Sequence, residues 1–585
     1  MHGLPRFLLG PMLAACASLV AAPASAQFLF VGPASDPDCD YQTIQEAVDA
    51  WAASASPDFV TVFISNAQPW SAQAITIPTP LASTGIGLRG EMPGCRLESA
   101  GGQAVLDGAG GAAAPVIDIE GSVAGDDHRF EVVLGYLVIT GGDHVGGHGG
   151  GVRLRGNAVL SVLEGRIHDN VAQNGAGIAV EATAAGVPHL ILVGNQAPAA
   201  IVDNAASGDG GGLFCSAATL YCDRYCLVAG NTAGGHGGGV AQVDCGTSLY
   251  PPNSSGPPDP QVGLRANSAV GDGGGAWVSG GYFAMNGTLP DSPAPIAGNA
   301  AGGSGGGLYF TAIGDNSNLQ RGVQFDDNQA GGDGGGLYAD SGYLQVFALG
   351  ACGDVEHCQR FRGNHADGAG GAFALAGTAN GLLMDVMFDD NSATQASVLQ
   401  AGTSGGGVTL TNVHVAGNHG APELLRSSGA YFDLRYVTVA GNGADDDALV
   451  RFDAAGGFHA SNSLLHDDDG GASGVVVDAP AGTTFNVDCV LVHDDSGIAG
   501  QPGVVDLVVA DPQWDTSGTY PAGLHVPGPD SPAVDACDPG TGTIPDLLGG
   551  ARPQDLPKPD GAGPYDMGAI ERVPDRIFGD GFESP

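Results

Sequence analysis

Lysine is almost missing from this chain. Lys558 is the only one in 585 residues, and lysine and arginine together number 19 against 63 aspartates and glutamates. The resulting formal charge of −44 argues against nucleic acid and anionic membrane surfaces as partners, since both call for clustered cations. Beyond the N-terminus no apolar stretch reaches membrane-spanning length. Paired CxxC metal spacing, a phosphate loop, a nucleophile elbow and a dinucleotide fingerprint are all lacking. A mostly helical chain is excluded too: there are 100 glycines and 37 prolines, and each helical glycine costs about 1 kcal/mol. Glycine has no three-residue period, which excludes collagen. Hydrophobic residues still make up 43%, enough for a core.

What is present is a repeat. An asparagine followed by a glycine run begins at Asn204, Asn231, Asn267, Asn299 and Asn328, with weaker copies at Asn170 and Asn364 and a remnant at Asn391. The intervals are 34, 27, 36, 32, 29, 36 and 27 residues, a range that marks a solenoid, propeller or array. Three places before each asparagine stands an apolar residue: Ile167, Ile201, Val228, Leu264, Ile296, Phe325, Phe361 and Phe388. Val415 to Asn418 and Val439 to Asn442 continue the pattern without glycines. Neighbouring segments such as Val413-His414-Val415 alternate as a half-buried strand does. Glycine runs give turns that tolerate positive φ and an identical turn above them. Asparagines at one corner of successive coils can bond as a ladder. Coils of this kind stack at about 4.8 Å into a right-handed, single-stranded parallel β-helix.

The start of the chain reads as an export signal. Arg6 precedes an apolar run from Phe7 to Val20, and Ala24-Ser25-Ala26 offers a cleavage site before Gln27. Leu13-Ala14-Ala15-Cys16 looks like a lipobox, so a lipid on Cys16 is the alternative; the apolar run continuing past the cysteine favours the ordinary signal. Of eleven cysteines, ten remain after cleavage, an even number for an oxidising compartment. By proximity Cys39 pairs with Cys95, Cys222 with Cys226, Cys352 with Cys358 and Cys489 with Cys537. The segment Thr43-Ile44-Gln45-Glu46-Ala47-Val48-Asp49-Ala50 then places Ile44, Ala47, Val48 and Trp51 on one helical face, and Val60-Thr61-Val62-Phe63-Ile64 reads as the first strand.

That helix followed by that strand resembles the opening of pectin-lyase-like β-helix proteins, in which such a helix caps the open coil. The pairing of Phe325-Asp326-Asp327-Asn328 and Phe388-Asp389-Asp390-Asn391 with Gly335-Gly336-Leu337 resembles the repeats of chlamydial polymorphic outer membrane proteins, which are surface adhesins. Ser531-Pro532-Ala533-Val534-Asp535, Arg552-Pro553 and Tyr565-Asp566-Met567-Gly568-Ala569-Ile570-Glu571 together resemble a choice-of-anchor Q domain, a common closing module of bacterial surface β-helices. The ending Arg576-Ile577-Phe578-Gly579-Asp580-Gly581-Phe582-Glu583 is similar to a tail on exported proteobacterial proteins. The expected organisation is a signal at 1–26, a cap with the short helix at 27–58, the β-helix at 59–510, the anchor-like module at 511–571 and a tail at 572–585.

Catalysis is tested against this scaffold because many β-helices cleave acidic polysaccharides. His148 and His236 sit in Gly-His-Gly triplets, but the Asn-Thr-Asp and Arg-Ile-Lys partners of polygalacturonases are missing, and neighbouring copies hold Asp or Ser in their place. The pairs Asp326-Asp327 and Asp389-Asp390 read as solvated turn acids. A lyase needs a base beside calcium-binding carboxylates; Arg153 and Arg155 face outward, with no acidic cluster evident near them in sequence. The acidic runs 445–447 and 467–469 leave calcium open, and no other cofactor is called for. The expected protein is therefore secreted by, or displayed on, a Gram-negative bacterium and binds glycans or other cell-surface components without catalysis. A lyase or hydrolase of acidic glycans and a passive envelope or matrix component are the alternatives.

Overall fold

The computed structural model describes residues 27–573 apart from 57, 81, 97–100, 122–128, 250–261, 288–293, 312–316, 349–357, 444–447, 467–474, 495–496, 539–543, 555, 557–560 and 562. The export signal, the tail from 574 onward, Cys352 and both acidic runs therefore lie outside the described residues. Among the described residues, forty-seven short strands and one helix account for the regular structure. All pairings between the named strands are parallel, each strand meeting its counterpart one coil on, as in Ile178–Glu181 beside Leu213–Ser216. This is a parallel β-helix. Hydrogen bonding joins 38 strands into one sheet that wraps around three sides, and nine strands form a separate narrow ladder. We call the sides sheet 1 (after the glycine turn, as in Val152–Arg155), sheet 2 (as in Ala158–Leu163) and sheet 3 (as in Arg166–His168, ending before the asparagine).

Corner geometry explains the repeat. The residue before each asparagine takes a left-handed conformation, among them Asp203, Asp327 and Asp390 with φ of 56°. Aspartate and glycine tolerate this region better than other residues, which is why they recur there. In the glycine run Gly305 has φ +69°, whereas the next glycine is needed for another reason: a Cβ on Gly306 would strike the Gly335 carbonyl of the following coil. The apolar residues three before the asparagines stack inside. Phe361 lies between Phe325, 4.4 Å away and nearly parallel, and Phe388 at 5.2 Å.

At the N-terminal end the helix Ile44–Ala52 starts with a capping box between Thr43 and Glu46 and buries Ile44, Ala47, Val48 and Trp51. Trp51 donates its indole N–H to Ser83 Oγ at 3.0 Å, anchoring the cap. The ladder begins earlier than the Val60–Ile64 segment suggests. Gln27–Val31 pairs in parallel with Val60–Ser65, with Leu29 and Val31 inward, so the helix follows the first strand rather than preceding it. Disulfides join Cys39 to Cys95, Cys222 to Cys226 and Cys489 to Cys537. Cys358 is also disulfide-bonded. A further bridge, Cys215–Cys245, links adjacent coils and was not among the pairs expected by proximity.

The C-terminal segment 511–573 folds back along the outward side of sheet 3 over the last coils. Its motif residues form its interior. Arg552 and Glu571 are fully buried and paired at 3.0 Å, and the guanidinium lies 4.3 Å over the Tyr436 ring while also donating to Asn412 Oδ1 and the Gly568 and Ala569 carbonyls. Asp535 N–H donates to Asp566 Oδ1 at 2.8 Å, and Cys489–Cys537 ties the segment down.

Burial pushes three carboxyls of this junction up: Asp385 to about 6, Asp566 to about 6 and Glu571 to about 7. Burial pushes His414, which lies under His525, down to about 3. Between about pH 4.5 and 6 the folded junction holds three protons that the unfolded chain has released, whereas the unfolded chain holds one extra proton on His414. Three against one makes stability rise as pH falls through this window. The urea midpoint for release of the C-terminal segment should therefore be higher at pH 5 than at pH 7.5; an equal or lower midpoint at pH 5 would contradict this electrostatic account.

Candidate binding face

The asparagines at the corners form one continuous inner ladder. Asn170, Asn204, Asn231, Asn267, Asn299, Asn328, Asn364 and Asn391 are essentially unexposed. Each donates from Nδ2 to Oδ1 of the next, at 3.0 Å for the first four and 2.9 Å from Asn299 onward. Asn418 and Asn442 extend it. From Asn204 on, Nδ2 also reaches the carbonyl of the apolar residue of the preceding coil, as in Asn364 to Phe325 O at 2.8 Å. One amide therefore connects both halves of the repeat, which accounts for their fixed spacing. These residues are structural.

The turn residues His148 and His236 belong to an outer ladder. Asp209 Oδ1 accepts from His236 N, His236 Nδ1 from Asp272 N, Asp272 Oδ1 from Ser304 N and Ser304 Oγ from Asp333 N. His148 Nδ1 donates to Glu181 at 2.6 Å, and that bond raises its pKa. Asn174 Oδ1 is taken by Asp209 N–H, so its Nδ2 donates to His148 Nε2 in the neutral ring. Both ring nitrogens are engaged within the protein.

Carboxylates do lie beside Arg153 and Arg155, contrary to the sequence reading. Asp118 stands in register with Arg153 and Glu120 with Arg155 on one side, and Glu181 with Arg155 on the other. Arg153 Nε donates to Asp118 Oδ1 at 2.8 Å, with a second bond from Nη2 to Oδ2. Arg155 reaches Asp118 at 3.8 Å and Glu120 at 3.6 Å. The charges neutralise one another rather than converge on an open site. Asp326 is likewise no solvated turn acid: Arg360 grips it through two bonds, Nε to Oδ1 at 3.0 Å and Nη2 to Oδ2 at 2.9 Å. Among the described residues one group has metal-ligand spacing, Asp36 with Cys39 and Cys95, and both thiols are spent in their disulfide.

The three sheets differ on their outward sides. Sheet 1 carries Trp277, Tyr309 and Tyr338 in one row, but Tyr309 and Tyr338 are stacked on each other at 4.9 Å and half-buried, so their faces are used internally. Burial is the first cause of the raised pKa of both hydroxyls. Sheet 3 is covered at its C-terminal end by segment 511–573. Sheet 2 is open, and it carries Tyr221, Tyr282, Tyr343 and Tyr431 at 39–43% exposure. Among the described residues the one other exposed aromatic ring, Phe28, lies on the first strand of the same sheet.

Sheet 2 is also free of charge over a long stretch. Its strand residues 246–249, 282–286, 318–320, 343–347, 380–384 and 407–411 include no Asp, Glu, Lys, Arg or His. In a chain with 63 carboxylates this is a distinct belt. Its outward positions offer amides and hydroxyls instead, such as Asn318, Gln345, Asn380 and Thr409. At the belt's C-terminal edge Arg435 closes on Asp433 in a bidentate pair, at 3.0 Å and 2.6 Å, and His459 stacks 6.5 Å from Tyr431. The sequence reading singled out none of these tyrosines.

No protein-family model matches the chain, and no curated protein matches it. Among the described residues no helix is long and apolar enough to cross a membrane.

Proposed function

We propose that the protein is an exported, non-catalytic binding protein whose second sheet takes up neutral glycans of a cell surface or matrix. The observation that carries this reading is the tyrosine belt. Exposed aromatic rings set among amides and hydroxyls match a sugar, which has an apolar C–H face and a hydroxyl rim. A belt without charge selects no anionic group, and a chain of net charge −44 repels polyanions such as pectate. The expected export signal, the disulfides and the anchor-like closing motifs support a location outside the cytoplasm. Four exposed rings on one open sheet set this reading above a passive matrix role.

Native affinity electrophoresis tests it. Gels containing mannan, glucan or galactan should include at least one that retards the mature protein, and the triple variant Tyr282→Ala, Tyr343→Ala, Tyr431→Ala should migrate as in a blank gel. Pectate, alginate and hyaluronan should neither retard the protein nor yield unsaturated, ultraviolet-absorbing product. Retardation by the acidic polymers alone, or by none, or product release from any of them, would overturn the proposal.

A further inference from the structure

We infer that the bound glycan is a linear chain running parallel to the solenoid axis, and that Gly246 and Gly407 set its seat by letting Tyr282 and Tyr431 lie down on sheet 2. This rests on the glycan reading above.

The seat follows from register. Gly246 stands beside Tyr282 on the neighbouring strand, and Gly407 beside Tyr431. Strands are about 4.8 Å apart, so a ring standing off the sheet would clear a side chain on the next strand. These rings do not clear it. A Cβ on Gly246 would meet Tyr282 Cε1 at 2.5 Å and Cζ at 2.9 Å, and a Cβ on Gly407 would collide with Cδ1, Cε1 and Cζ of Tyr431. Both tyrosines therefore lean back over the glycine, one ring face toward the backbone and the other toward solvent. Neither glycine has a positive φ, so the backbone does not require glycine there. What is required is the missing side chain.

Orientation follows from the row. Tyr343 continues into Asn380, Gly407 and Tyr431, and Tyr282 lies two strands before Tyr343 on the same outward line. At one strand per coil, the successive separations are about 10 Å and about 14 Å, a span of about 24 Å. A chain crossing the sheet would meet one of these rings; a chain along the axis meets three. Among the described residues no charged side chain interrupts the path; Asn380 lies between Tyr343 and Tyr431, and Gln345 flanks Tyr343 on its own strand, both able to bond hydroxyls. The ligand class is thus a linear, uncharged polysaccharide read over several sugar units, not a terminal sugar.

Isothermal titration with mannan- and glucan-type oligosaccharides, from a disaccharide up to an octasaccharide, tests this. For the wild-type chain Kd should fall at least tenfold across the series, as linked weak sites combine. Tyr343→Ala should remove most of that gain, since it empties the middle of the row. Gly407→Val keeps Tyr431 and suits a strand, yet should weaken octasaccharide binding as much as Tyr431→Ala does. Gly246→Val repeats the test at Tyr282 should Gly407→Val melt early. Affinity independent of chain length, or wild-type binding in a folded Gly→Val variant, would overturn the inference while leaving the glycan reading in place. Loss of all binding in the wild-type chain would overturn both.

Discussion

Replacing Asn299 by alanine should destabilise the middle of the solenoid by about 3–6 kcal/mol, the largest single-residue effect expected in this protein. Its side chain donates to Leu264 O at 3.0 Å and to Asn328 Oδ1 at 2.9 Å, and accepts from the backbone N–H and Nδ2 of Asn267, both at 3.0 Å. The site has no exposure, so water cannot replace these partners. Alanine leaves the Asn267 N–H without its acceptor in the interior and removes one partner each from Asn267 Nδ2, Leu264 O and Asn328 Oδ1, although the last keeps the Asn299 N–H. Each group orphaned in this way costs about 1–3 kcal/mol. Urea unfolding followed by circular dichroism should show the loss, with amide exchange accelerating first in the coils of Asn267 and Asn328. A change below about 1 kcal/mol would mean that the ladder is ornamental.

The second large effect is expected at Phe361. Its ring is wholly buried, stacked between Phe325 and Phe388 and edge-on to Phe373 at 6.2 Å. Alanine there opens a cavity that sheet hydrogen bonds on both sides keep from collapsing, for a cost of about 3–5 kcal/mol. Tyr282→Ala, on the solvent side, should shift the same urea midpoint little. A similar loss at both positions would show that exposure does not separate core from surface as described.

The corner chemistry was legible because a β-helix brings the same turn back once per coil, so Asn, the apolar residue three before it and the glycines recur visibly. The spacing of one coil also contained an unread signal: Cys215 and Cys245 are 30 residues apart, within the repeat interval, and the structure joins them. N-terminal to Asn170 the repeat fades, although Gly142 N–H still donates to Asn170 Oδ1. Register therefore could not be carried back to Asp118, and its pairing with Arg153 across 35 residues stayed hidden. The tyrosine row was hidden for a related reason. Coil lengths vary between 24 and 36 residues, so Tyr282, Tyr343 and Tyr431 fall at no common interval and align only once each strand is paired. The acidic composition pointed away from polyanions, but it could not reveal that one sheet is free of charge.

Nitration of the native protein by tetranitromethane, mapped by peptide mass spectrometry with and without a saturating neutral polysaccharide, tests the central claim most directly. Without ligand, Tyr221, Tyr282, Tyr343 and Tyr431 should react and the half-buried pair Tyr309 and Tyr338 should react slowly. With the polysaccharide that retards the protein, Tyr282, Tyr343 and Tyr431 should become protected together, while Tyr309 and Tyr338 on sheet 1 keep their slow rates. Protection confined to other parts of the chain, or unchanged reactivity of all three in the bound state, would contradict a glycan seat on sheet 2.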